Sequence, residues 1–120
     1  MTPIGYLLDE HTPAYWVSAV RRVDATIRIL RVGNTGAPPR GTADPGLLKY
    51  CEANKLLLVT CDRRTMYGHI ADHVADGNVF HGMILVEGPI TTEEVVNDLV
   101  LLYATSFAED LIDTVMTLPL

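Results

Sequence analysis

Three short apolar runs constrain this chain more than anything else in it. Gly5-Tyr6-Leu7-Leu8, Leu56-Leu57-Leu58-Val59-Thr60 and Gly82-Met83-Ile84-Leu85-Val86 carry no charge and show no alternation of apolar with polar residues. A strand with one wet face alternates; a strand without alternation is covered on both faces, as in a parallel sheet with helices above and below. Helical patterns separate the runs, and strand–helix alternation of this kind predicts an α/β domain. The expected architecture is a single three-layer α/β/α domain over residues 1–120, with a mostly parallel sheet of four or five strands. At 120 residues and 48% hydrophobic content the chain can bury a real core as one domain.

The intervening segments carry their own signals. Thr12-Pro13 predicts a helix start, with Thr12 as N-cap and Pro13 in the first turn. Trp16, Val20 and Val23 give that helix an inner face at helical spacing, with Ala19 beside them. Ile27 to Val32 alternates apolar and basic residues and reads as a half-exposed strand near a sheet edge. Gly33 to Ala43 is a loop, placed to rim a site. Asp44-Pro45 repeats the cap-plus-proline signal, and the next helix runs to about Asn54. A third helix is expected from Met66 to Asp76, with Met66, Ile70 and Val74 inward and His69, Asp72, His73 and Asp76 outward. Gly77 follows as its terminator. Thr91-x-x-Glu94 and Ser106-x-x-Glu109 read as capping boxes that open two more helices. Val115 to Leu118 is expected to add a short edge strand.

No apolar run approaches the roughly 20 residues of a membrane span, and no signal peptide is legible. The expected setting is the cytoplasm, with Cys51 and Cys61 as two reduced, buried thiols. All nine Lys and Arg lie between Arg21 and Arg64, so residues 1–64 carry 9 − 6 = +3 and residues 65–120 carry 0 − 9 = −9. The first part suits a nucleic acid and the second a basic protein partner, unless the two merely fold back on one another.

Chemistry is expected where buried strands end in charge. Asp9, Glu10 and His11 follow the first run directly, and Asp62, Arg63 and Arg64 follow the second. Right-handed crossovers put the carboxyl ends of parallel strands on one edge, where ligands bind. Asp44, at the start of the helix after the second strand, is expected at the same edge. Clustered carboxylates suit Mg²⁺ or Mn²⁺, hard cations that take oxygen ligands. Each acid also has a structural explanation, as a cap or a solvated charge. His11 is open between ligand, base and substrate contact. Arg63 and Arg64 either contact phosphate or neutralise the acids.

The order Leu7-Leu8-Asp9-Glu10-His11, Thr42-Ala43-Asp44-Pro45 and Leu58-Val59-Thr60-Cys61-Asp62 resembles the PIN-like family of small bacterial proteins, relatives of PIN-domain nucleases that include toxin ribonucleases of toxin–antitoxin pairs. The resemblance covers about residues 5–86. It implies a metal-dependent ribonuclease, with Asp9, Asp44 and Asp62 as metal ligands and catalytic acids and Glu10 assisting. Arg63, Arg64 and His11 would then contact substrate. An antitoxin-like protein partner is implied as well. The family commonly carries Thr-x-Asp-x-Asp-Phe at the third motif; here Arg64 stands at the second acid. An arginine there either removes one ion or holds a phosphate. The alternative function is a catalytically inactive PIN-like domain that binds a protein partner or a second copy. A homodimer is expected through the helix from Thr92 to Tyr103 or the one from Phe107 to Val115, on the argument that Val95, Val96, Leu99, Val100, Leu102, Phe107, Leu111 and Ile112 cannot all be buried by a small sheet.

Overall fold

The computed structural model describes residues 1–62 and 66–120. Five strands form one sheet: β1 (Gly5–Leu8), β2 (Arg28–Arg31), β3 (Leu57–Thr60), β4 (Met83–Val86) and β5 (Val115–Leu118). All pair in parallel, in the order β2-β1-β3-β4-β5. Four helices connect them: α1 (Tyr15–Val23), α2 (Asp44–Asn54), α3 (Met66–Ala75) and α4 (Thr92–Thr105). The α/β architecture with a mostly parallel sheet is therefore as the apolar runs predict.

Alternation within each strand divides the core into two layers. Tyr6, Leu8, Ile29, Leu57, Val59, Ile84 and Val86 face α1 and α4. Leu7, Leu58 and Met83 face α2 and α3. Both sides of β1, β3 and β4 are thus apolar, which is why these strands show no polar alternation. The one polar atom that β1 sends into the first layer is satisfied: Tyr6 Oη donates to Leu99 O at 2.7 Å, tying the strand to α4.

Several local expectations need correcting. Thr12 does not cap α1, which begins at Tyr15 after Ala14. Its hydroxyl instead donates to Asp9 O at 2.8 Å, closing a turn whose two ends, Asp9 and Thr12, are buried. Val23, the last residue of α1, is 60% exposed and does not belong to the inner face. Asp44 is the first residue of α2 and Ala43 precedes it as the cap position. In α3 the faces differ from the pattern: His73 is buried and Val74 exposed. A buried imidazole needs partners, and Nε2 of His73 lies 3.0 Å from Val79 O and 3.1 Å from Glu52 Oε1. Cys51 is buried, but Cys61 is exposed at the end of β3.

After α4 the second predicted helix is only a single 3-10 turn, Ala108–Leu111. Ser106 forms no capping box; Phe107 N donates to Asp110 Oδ2 at 2.9 Å instead. The segment then reaches β5, as the tail pattern predicts. Val95, Val96, Leu99, Leu102 and Leu111 are all buried against the sheet. The premise for a dimer through this region fails for those five residues; Phe107, at 40%, stays exposed. No helix among the described residues is long and apolar enough to cross a membrane.

Candidate functional site

The strand order changes direction between β1 and β3: connections from β1 lead one way across the sheet, and those from β3 the other. At such a point the loops at the carboxyl edge splay apart and leave a crevice. Asp9 and Asp62 follow the two strands that flank it.

Hydrogen bonds to both its backbone and its side chain hold Asp9 there. Its N–H donates to Val59 O at 3.0 Å, continuing the β1–β3 ladder one residue beyond the strand. Its Oδ1 accepts from His11 N at 3.1 Å and its Oδ2 from the Thr60 hydroxyl. Its carbonyl receives the Thr12 hydroxyl. The residue is buried, with 5% of its surface exposed. Burial pushes its carboxyl above the ordinary aspartate range; the donors from Thr60 and His11 oppose this, and the Asp44 charge adds to it.

Thr60 joins two of the acids. Asp62 N donates to Thr60 Oγ1 at 3.0 Å, while that hydroxyl donates to Asp9. Asp62 is exposed. Asp44, half-buried at the start of α2, has Oδ2 3.7 Å from His69 Nε2. Glu10 Oε1 accepts from Gly41 N at 3.3 Å, which ties the glycine-rich loop to the turn after β1. Arg31 holds the turn from below: Nε donates to Thr12 O at 2.9 Å and a terminal nitrogen to Glu10 O at 2.7 Å. His11 is exposed and meets Asp9 through its backbone. Arg63 and Arg64 lie outside the described residues.

No family model, curated protein or solved structure matches the chain.

Among the described residues, no three His, Cys, Asp or Glu side chains are grouped closely enough to hold a metal ion. Mg²⁺ does not require such a cage; it is commonly held by one or two carboxylates plus waters and substrate phosphate. The donor chemistry at Asp9 and Asp44 fits an open oxygen site of that kind.

Two residues at this edge were given no role from the sequence. Thr60 is the donor that orients Asp9; its place inside the Leu-Val-Thr-x-Asp motif was the available signal. Glu87 follows β4 as Asp9 follows β1, and its N–H donates to Leu118 O at 3.1 Å. With Cys61 and Gly88 it lines an open depression of about 380 Å³. A third apolar run ending in an acid was the signal for it. Burial, and secondarily the Asp9 charge, raise the Cys61 thiol pKa, so it is a poor nucleophile at neutral pH.

Proposed function

We propose that this chain is a PIN-like, metal-dependent phosphodiesterase acting on RNA, with Mg²⁺ or Mn²⁺ as its cofactor. The observation that carries the reading is the buried, doubly hydrogen-bonded Asp9 carboxylate at the switch point, with the Asp44 charge beside it. The Asp44 charge adds to the rise of the Asp9 pKa, and a divalent cation relieves repulsion of that kind. Asp9, Asp44 and Asp62 would hold the cation, which when bound supplies charge neutralisation at the phosphate and lowers the pKa of water. Thr60 and the His11 N–H fix the Asp9 carboxylate in one orientation. Glu10 and His11 stand beside it, where they can take or hold a proton. Arg63 and Arg64 would meet the phosphate.

The test is cleavage of a single-stranded RNA with and without Mn²⁺, wild type against Asp9→Asn. The expected result is metal-dependent cleavage that falls by about 10²-fold or more in the variant. Cleavage that ignores both Mn²⁺ and Asp9 would overturn the reading. Thr60→Val should cost about 10-fold through misorientation of Asp9. Arg64→Asp should strengthen Mn²⁺ binding, because it restores a carboxylate and removes a like charge.

A second reading is a catalytically inactive PIN-like domain that acts through a protein partner, of antitoxin type or a second copy. It draws on Arg64 at the position of an acid and on the nine acids without Lys or Arg after residue 64.

A further inference from the structure

A parallel sheet has two edges, and here they are treated differently. Strand β2 points the N–H and C=O of Ile29 and Arg31 outward, since Val32 N reaches inward to Leu8 O. Three of those four groups are covered. Arg21 donates to Ile29 O at 2.7 Å, Asn34 Oδ1 accepts from Arg31 N at 2.9 Å, and Asn34 N donates to Arg31 O at 2.9 Å. An edge closed in this way cannot template another strand.

Strand β5 has no such cover. Met83 N donates to Thr114 O and Glu87 N to Leu118 O, so residues 114, 116 and 118 face β4. The backbone groups of Val115 and Thr117 therefore face outward. Among the described residues no hydrogen-bond partner meets any of the four. Its four residues hold no Lys, no Pro and no bulge, and Pro119, at the next outward position, ends the open edge. Met116 and Leu118 pack into the α1/α4 layer, which leaves Val115 and Thr117 on the opposite face, both exposed.

The charges around this edge select what can pair with it. Asp113 precedes the strand, and Asp98 lies at its far end, where its Oδ2 accepts from Leu120 N at 3.1 Å. No Lys or Arg follows Arg64 in the sequence. A second copy brought edge to edge would set acid against acid. We propose that β5 is a docking edge for an extended, basic segment of a partner protein, which adds a sixth strand through Val115 and Thr117 and places its cations near Asp113 and Asp98. This is independent of the ribonuclease reading: the edge lies on the far side of the sheet from Asp9.

The probe is a blocked pentapeptide alternating lysine and valine, and the readout is amide hydrogen exchange of the full chain by NMR. Addition should slow exchange at Val115 and Thr117 by at least about tenfold. N-methylation of the peptide backbone, or glutamate in place of lysine, should remove the effect. Thr117→Pro should also remove it, because that N–H belongs to the open edge and not to the β4 ladder. Binding that leaves both amides unprotected, or that survives N-methylation, overturns the proposal. So does protection in the free protein that vanishes on dilution, which would put a second copy on the edge.

Discussion

Asp9 is a carboxylate that the fold holds at a cost, and the cost has a sign that can be measured. Burial raises its pKa in the folded chain above the value in the unfolded chain. The folded state thus keeps a proton through a pH window that opens near the ordinary aspartate value of about 4. Within that window stability falls as pH rises. Asp9→Asn should flatten this part of the profile, read as urea midpoints from about pH 4 upward; an unchanged slope would show that another group carries it. Thr60 tests the same site from the donor side. Thr60→Val keeps the shape and removes the hydroxyl, leaving a buried carboxylate oxygen short of a donor. The expected loss is about 1–3 kcal/mol at neutral pH by urea unfolding, with Thr60→Ser close to wild type. The placement of Asp9 at the carboxyl edge of the sheet was legible because it follows a buried strand. Its donor was not, because a threonine at the end of a strand is also an ordinary strand residue.

At the level of elements, two capping signals of the same form had different outcomes. Thr91 and Glu94 make a reciprocal box at the start of α4, with Glu94 N donating to Thr91 Oγ1 at 3.1 Å and Thr91 N to Glu94 Oε2 at 3.2 Å. Ser106 has the same spacing to Glu109, yet its N–H closes α4 on Leu102 O, and Glu109 accepts from Thr2 N at 2.7 Å. Thr91→Ala should therefore cost about 1 kcal/mol and Ser106→Ala less than about 0.5 kcal/mol, in parallel urea titrations. Tertiary bonding decided between them: the N-terminal strand region claims Glu109, which a local motif does not register. The same override exchanged His73 and Val74 in α3, where Glu52 of a different helix supplies the partner that makes a buried histidine affordable. Gly82 gives a further test. Its φ is +98°, and an added Cβ would lie 2.5 Å from Leu111 O and 2.6 Å from Leu57 Cδ2. Gly82→Ala should cost at least about 2 kcal/mol, as backbone strain and overpacking act together where the 3-10 turn meets β4. What the pattern did convey was the three inner strands, β1, β3 and β4, because a two-sided apolar environment leaves a trace in every residue of a short run.

Across the whole molecule, the order of strands turns a division along the chain into a division in space. The charge asymmetry is visible in the sequence, but hydrophobic pattern carries no information on which strand neighbours which. With β2 at one edge and β5 at the other, the arginines of α1 and β2 lie on one flank and the acids around β5 on the opposite one. A groove of about 600 Å³ runs along the basic flank, lined by Ser18, Arg21, Arg22, Leu30, Asn34 and Thr35. Ala14 and Val17 of α1 complete its lining. Arg21 is partly committed to Ile29 O, whereas Arg22 makes no hydrogen bond or ion pair with any described residue. If RNA approaches the crevice, its phosphates meet this flank and are repelled by the other. Arg22→Gln should then weaken an uncleavable single-stranded RNA analogue and reduce the slope of log K against log salt by about 0.7, the effect of one phosphate contact on a single strand. Glu93→Gln, on the acidic flank, should leave the slope unchanged. Fluorescence anisotropy between about 50 and 200 mM salt reads both. An unchanged slope in Arg22→Gln, with binding retained, would mean that the RNA avoids the α1–β2 groove and that the basic flank serves the fold alone, through clamps of the kind Arg21 and Arg31 already make.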